Sequence, residues 1–158
     1  MHIYLGSDHG GFALKESFKA YLVKQHPDYK VEDCGAYLLD PDDDYPEFAL
    51  QVAHKVVAMS EDQDSQVLGI VFCRSGSGVV IAANKVLGVR AVEIYNETIA
   101  AHAKSHNKAN VIAFSGDYLT EAQMTAYFET FMSTPVDSSE RHARRLQQIT
   151  HYEQQRNQ

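Results

Sequence analysis

Val67-Leu68-Gly69-Ile70-Val71-Phe72-Cys73-Arg74-Ser75-Gly76-Ser77-Gly78 runs directly into Val79-Val80-Ile81-Ala82-Ala83-Asn84-Lys85. The opening run is continuously apolar and rich in β-branched residues, which predicts a strand buried on both faces of a parallel sheet. The middle is a Ser/Gly-rich turn carrying a thiol, a hydroxyl and an arginine, and the end predicts a short helix with small residues on its packing side. A strand that exits through such a turn into a helix aims several backbone N–H groups at one spot, with the positive end of the helix dipole behind them. That spot suits a phosphate, a carboxylate or a developing oxyanion. A cysteine placed there is a candidate for chemistry.

The same grammar repeats on both sides. Toward the amino terminus, His2 to Leu5 predicts a strand, followed by the turn Gly6 to Gly11 and a helix with Leu14, Phe18, Tyr21 and Leu22 on one face. Tyr29 to Cys34 predicts a second strand. The acidic loop Asp40 to Asp44 leads into Tyr45-Pro46, where the proline suits a helix start, and Ala49, Val52, Ala53, Val56 and Val57 make its apolar stripe. Glu61 to Ser65 predicts a polar loop. Toward the carboxyl terminus, Gly88 fits a helix end and Val89 to Ile94 a fourth strand. Asn96 suits the cap of a helix ending near His106-Asn107, and Val111 to Phe114 a fifth strand. Thr120 to Gln123 has capping-box form, Pro135 stops that helix, and a polar helix spans about 138–155. The alternation predicts one α/β domain over 1–158: a doubly wound, Rossmann-like, five-stranded parallel sheet with helices on both faces. Ligands bind such sheets outside the carboxyl ends of the strands, so the turns Ser7 to Gly11, Cys73 to Gly78 and the region of Asn96 should converge. The polar last helix is expected on the surface or against a second subunit.

Composition removes several classes. A chain of 158 residues buries a core without staples, and a formal net charge of −7 argues against a nucleic-acid-binding surface. Two cysteines, Cys34 and Cys73, without metal-like spacing point to a reducing compartment. Neither a secretory leader nor an apolar run of about 20 residues is visible, so no membrane association is expected and the cytoplasm is the expected location.

Cys73 stands beside a helix amino terminus, where a thiolate is favoured, although most free cysteines are simply buried. Cys34 lacks that setting and reads as packing. In Asp8-His9 the imidazole can relay protons or bind phosphate with the neighbouring carboxylate to orient it; the plainer alternative is turn chemistry by Asp8. His102 and His106 have metal-pair spacing, but no third ligand suggests itself, so no metal is expected. Arg141 and Arg145 share a helix face and could clamp a phosphate, or form an ordinary solvated face with Glu140. Asp40 to Asp44 lacks the glycine and closing glutamate of a calcium loop and reads as solvated. Gly76 and Gly78 supply two glycines of a dinucleotide fingerprint, but Ile81 fills the third position and Glu93 comes early for the ribose acid, so no cofactor is expected.

Taken together, the chain resembles the ribose-5-phosphate isomerase B family, which also includes galactose-6-phosphate isomerase subunits. The stretches that carry the likeness are Gly6 to Phe12 with Leu14-Lys15, Asp44-Tyr45-Pro46, Cys73 to Gly78, and Ile81 to Lys85. Gly88 to Ala91, His106-Asn107, Asn110-Val111, Arg141-His142 and Arg145 complete it. The resemblance implies an aldose–ketose isomerase for a sugar phosphate, most readily ribose 5-phosphate to ribulose 5-phosphate, with Cys73 as the base that moves a proton between C1 and C2. It implies that Ser75 assists at the substrate oxygens and that the N–H groups of Ser75, Gly76, Ser77 and Gly78 stabilise the enediolate. His106 and Asp8 would open the furanose ring. His9, Arg141 and Arg145 would hold phosphate, while Asn107 and Tyr45 would line the substrate. The family needs no metal and works as a homodimer or a pair of dimers with sites built from two chains. Six-carbon substrates such as galactose 6-phosphate or allose 6-phosphate, and a non-catalytic sugar-phosphate-binding homologue, are the alternatives.

Two residues depart from the family pattern. Arg74 stands where glycine is usual, inside the anion-stabilising turn. Asp117 stands where many members have a phosphate-binding arginine. Either Arg74 restores the missing positive charge, or the preferred substrate differs.

Overall fold

The computed structural model of the chain describes residues 1–60 and 66–156, so the loop expected over Glu61 to Ser65 lies outside the described residues. Among the described residues, β1 (His2–Ser7), β2 (Lys30–Asp33), β3 (Val67–Cys73), β4 (Ala91–Glu93) and β5 (Val111–Ser115) form one parallel sheet in the order β2-β1-β3-β5-β4. The helices between and after them are α1 (Phe12–Gln25), α2 (Tyr45–Ser60), α3 (Ser77–Ala83), α4 (Glu97–Ser105), α5 (Glu121–Ser133) and α6 (Glu140–Arg156). None is long and apolar enough to cross a membrane.

The continuous apolar run of β3 is explained by what covers each face. Leu68, Ile70 and Phe72 enter one cluster with Ile3, Leu5, Phe18, Phe114 and Phe128, under α1, α4 and α5. Val71 and Cys73 turn the other way, into a cluster with Ala49, Val52, Val56 and Val79 from α2 and α3. Successive side chains alternate faces, so a strand covered on both sides can keep no polar position. Phe18 packs edge-on against Phe128 with ring centroids 5.0 Å apart, and both are fully buried. Burial of each such side chain stabilises the fold by about 1.5–3 kcal/mol.

Local signals fixed the helix starts. The Asn96 side chain accepts the Ile99 N–H at 2.8 Å, and Thr120 and Gln123 form the reciprocal capping box. The fourth strand is shorter than the expected Val89 to Ile94, because side chains replace its ladder at the entry. Asn110 Oδ1 accepts the Arg90 N–H at 2.7 Å, and Asn84 brackets Ala91, accepting its N–H at 2.8 Å and donating to its carbonyl at 2.9 Å. The Arg90 guanidinium in turn donates to the carbonyls of Asn107 and Lys108.

The strand order turns at β1: β2 lies on one side of it and β3 on the other. A crevice therefore opens at the carboxyl ends of β1 and β3, the place where such sheets bind ligands. Three turns meet there. The Asp8 N–H donates to the Phe72 carbonyl at 3.4 Å, the Gly116 N–H to Cys73 at 2.8 Å, and the Asp117 N–H to Arg74 at 3.0 Å.

Candidate active site

Cys73 ends β3 and is 4 % exposed, with the Gly76 N–H donating to its Sγ at 3.1 Å. Gly76 makes that turn with φ of 85°, the left-handed region where a side chain is disfavoured. The Ser75 hydroxyl accepts the Ser77 N–H at 3.4 Å, and the Ser77 hydroxyl donates to Glu93 Oε2 at 2.8 Å. Glu93 thus borders the start of α3. At Gly78, a Cβ would lie 2.9 Å from the Tyr45 ring, so the first residue of α2 closes against the first turn of α3. The thiol, the amides of the turn and the phenol accordingly share one wall of the crevice.

The opposite wall is the turn after β1. Asp8 is 5 % exposed and accepts the Gly11 N–H at 3.0 Å. Burial pushes its carboxyl above the ordinary value of 3.8, with the nearby Asp43 carboxylate adding to the rise. His9 is held by Asp43, whose Oδ1 accepts the His9 backbone N–H at 2.9 Å and pairs with Nδ1 at 2.7 Å. The acidic loop therefore differs from the solvated loop expected: Asp40, Asp42 and Asp44 are exposed, whereas the Asp43 side chain is 10 % exposed. No local signal marks Asp43, because its partner lies 34 residues away.

Arg74 and Asp117, the two departures, face each other. Arg74 Nη1 lies 3.6 Å from Asp117 Oδ1, and both side chains are largely solvated. A Cβ on Gly10 would collide with Arg74 Cγ, so the arginine stem crosses the turn that carries His9. The two charges meet each other at the mouth of the crevice.

The remaining residues form a second group. α4 leaves β4 at Asn96 and runs back for about 14 Å at 1.5 Å per residue, so His106 ends on the amino-terminal side of the sheet, opposite Cys73. There its ring stacks on His102 at 4.4 Å and on His142 at 4.2 Å. Asn107 is exposed beside it, and Arg141 and Arg145 are exposed on α6. His106, Asp137 and His142 bring possible metal-ligating atoms within 4.8 Å of one another. The His106 and His142 rings lie only 6° from parallel, so their in-plane lone pairs do not converge, and the Arg141 Nε–H donates to His142 Nε2 at 3.3 Å. That arrangement does not suit an ion. Cys34, read as packing, is 2 % exposed, and burial pushes its thiol up to about 11.

Comparison with known proteins assigns the arrangement to a family. Residues 3–149 match the family model described as Ribose/Galactose Isomerase. The chain belongs to the ribose/galactose isomerase family. Within that family, it is 42 % identical over 153 residues to ribose-5-phosphate isomerase B of Mycolicibacterium paratuberculosis, covering 97 % of this chain and 92 % of that one. Among solved structures, ribose-5-phosphate isomerase B of Mycoplasma genitalium with bound ribulose-5-phosphate superposes with a TM-score of 0.86 at 37 % identity, covering 97 % and 96 % of the two chains. The Clostridium thermocellum ribose-5-phosphate isomerase B gives 0.87 at 35 % identity, covering 98 % and 99 %.

Proposed function

We propose that this chain is an aldose–ketose isomerase that interconverts ribose 5-phosphate and ribulose 5-phosphate through an enediolate. The observation that carries the reading is the strand-exit cysteine beneath an amide-rich turn, its sulfur met by the Gly76 N–H at 3.1 Å, in a member of this family. Relatives carry the name of that activity, and one holds ribulose-5-phosphate.

The chemistry follows from the residues. Asp8, whose carboxyl burial raises above its ordinary value, can in its protonated form pass a proton to the ring oxygen while His106 takes one from the anomeric hydroxyl. Cys73 as thiolate then takes the C2 proton of the open aldose. The C2–H electron pair becomes the C1–C2 double bond, and the aldehyde π pair moves onto O1. The Ser75 hydroxyl and the amides of Ser75 to Gly78 face that growing charge. Passage of the O2 hydroxyl proton to O1 through the Ser75 hydroxyl, with return of the proton from sulfur to C1, leaves O2 as the carbonyl and yields the ketose. One base serves both carbons because the thiol gives back what it took.

His9 on one wall, with Arg141 and Arg145 on α6, supplies phosphate contacts, and Tyr45 and Asn107 line the sugar. Within one chain Cys73 and His106 lie on opposite sides of the sheet, so this reading requires a second copy to bring its His106, Asn107, Arg141 and Arg145 to the first copy's Cys73. α6 suits such a role. Arg141, Arg145, Ile149 and Tyr152 all stand exposed on it. The chain would then work as a homodimer or pair of dimers, as one domain in the cytoplasm.

A direct assay tests the reading: ketose formation from ribose 5-phosphate, with galactose 6-phosphate and allose 6-phosphate in parallel. Ribose 5-phosphate should have the highest kcat/KM. Turnover of none of the three, with binding retained, would make the chain a sugar-phosphate-binding homologue. Mixing inactive Cys73→Ala chains with inactive His106→Asn chains should restore part of the activity, since mixed dimers hold one intact site.

A further inference from the structure

We infer that Asp43 is a positioning residue that fixes the His9 imidazole so that Nε2 alone is left to meet the sugar phosphate; this rests on the isomerase reading of the crevice. One carboxylate oxygen, Asp43 Oδ1, accepts the His9 backbone N–H at 2.9 Å and the Nδ1–H at 2.7 Å, so main chain and ring are held by the same atom. A carboxylate only accepts, so the proton between them belongs to Nδ1. Nε2 makes no hydrogen bond among the described residues and is free to accept from a hydroxyl or, in the protonated ring, to donate to a phosphate oxygen. His9 retains 23 % side-chain exposure, enough for a ligand to reach it.

The arrangement is costly without such a role. Of the four aspartates in the loop, Asp43 alone is turned inward, its Oδ2 is buried without a hydrogen-bond partner among the described residues, and its charge stands close enough to Asp8 to raise that carboxyl. Burying two carboxylates near each other is unfavourable. The compensating interaction is the grip on His9. A charge-assisted pair of this kind also ties the 40–44 loop to the turn after β1, so two walls of the crevice move together.

The test combines kinetics with the ring itself. Asp43→Ala should lower kcat/KM for ribose 5-phosphate about tenfold to a hundredfold, mainly through KM, because the lost contact is a charge-assisted one. Asp43→Asn, which keeps an accepting oxygen in the same shape, should recover part of that loss. In a His9→Ala background the Asp43→Ala step should add less than about twofold, since residues acting through one group are not additive. Long-range 1H–15N correlation at about pH 8, above the usual imidazole range, should show Nδ1–H in the wild-type His9 ring and a shift toward Nε2–H in Asp43→Ala. Full additivity with His9→Ala, or an unchanged His9 tautomer, overturns the proposal. Should Asp43→Ala fail to fold, Asp43→Leu, which fills similar space but offers no acceptor, carries both readouts. A wild-type chain without isomerase turnover would refute the functional reading, while the tautomer still judges the grip of Asp43 on His9.

Discussion

Lys15→Met separates two opposed effects of a buried charge. Lys15 has no exposed side-chain surface, and its Nζ donates to Asp33 Oδ1 at 2.7 Å, Asp33 Oδ2 at 2.9 Å and the Ala36 carbonyl at 2.7 Å. Replacing a whole buried ion pair with apolar residues is often neutral, whereas removing one partner costs about 3–5 kcal/mol. Here Asp33 would not be stranded: it keeps Lys19 at 2.6 Å and the Gly35 N–H at 2.9 Å. The Ala36 carbonyl does lose its side-chain donor, which costs about 1–3 kcal/mol, while methionine preserves the packing of the stem. The expected loss is therefore about 3 kcal/mol, the low end of the range for a broken pair, or a fall in Tm of about 6–12 °C. Lys15 and Lys19 hold the Asp33 carboxyl below 3.8 despite its partial burial. The pairing stabilises the fold above that value and is lost as pH falls through the lowered one, so the wild-type advantage should shrink in acid. The assay is thermal and urea unfolding of both proteins at neutral pH and at about pH 3, below the ordinary carboxylate value. An unchanged or raised Tm at neutral pH would refute the reasoning. Gly35 and Ala36 bond to the Ser7 backbone at 2.8 Å, so the variant should also raise KM by loosening the path from β1 to Asp43.

Further outcomes follow from single contacts. Asp8→Asn should raise Tm at neutral pH, because it removes a carboxyl whose ionised form burial disfavours; the gain should vanish below the ordinary value of 3.8, where folded and unfolded chains are both protonated at this site. The same variant should slow turnover from the ring form of the sugar, measured against an open-chain aldose phosphate. Asn84→Ala leaves both backbone groups of Ala91 without their side-chain partner and should cost about 2 kcal/mol, read as a Tm lower by about 4–8 °C. Asp117→Asn removes the partner of Arg74 and an acid from the mouth of the crevice, so KM for ribose 5-phosphate should fall by up to about fivefold at low salt, with the effect fading as salt is added.

The fold was legible because its signals are local or periodic. A strand covered by helices on both faces must be apolar throughout, which Val67 to Phe72 declares, and caps such as Asn96 and Thr120 are read from a few neighbours. The entry to β4 was not, since its ladder is replaced by the side chains of Asn84 and Asn110, each reaching across the chain. The crevice residues around Cys73 and Asp8 could be anticipated from the rule that strand-exit turns converge. Asp43 could not, because the four aspartates of the 40–44 loop look alike until the fold turns one of them toward His9. The place of His106 follows only from counting out the return path of α4. Arg74 and Asp117 each looked anomalous alone, and their pairing is a property of two turns from different strands.

The central claim is that the Cys73 sulfur carries the proton between C1 and C2. Its most direct test compares wild type with Cys73→Ala for ribose 5-phosphate turnover and for sugar-phosphate binding. Binding should survive while kcat falls by about a factor of a thousand or more, the loss expected when a general base is deleted. Retention of kcat within tenfold in Cys73→Ala would contradict it.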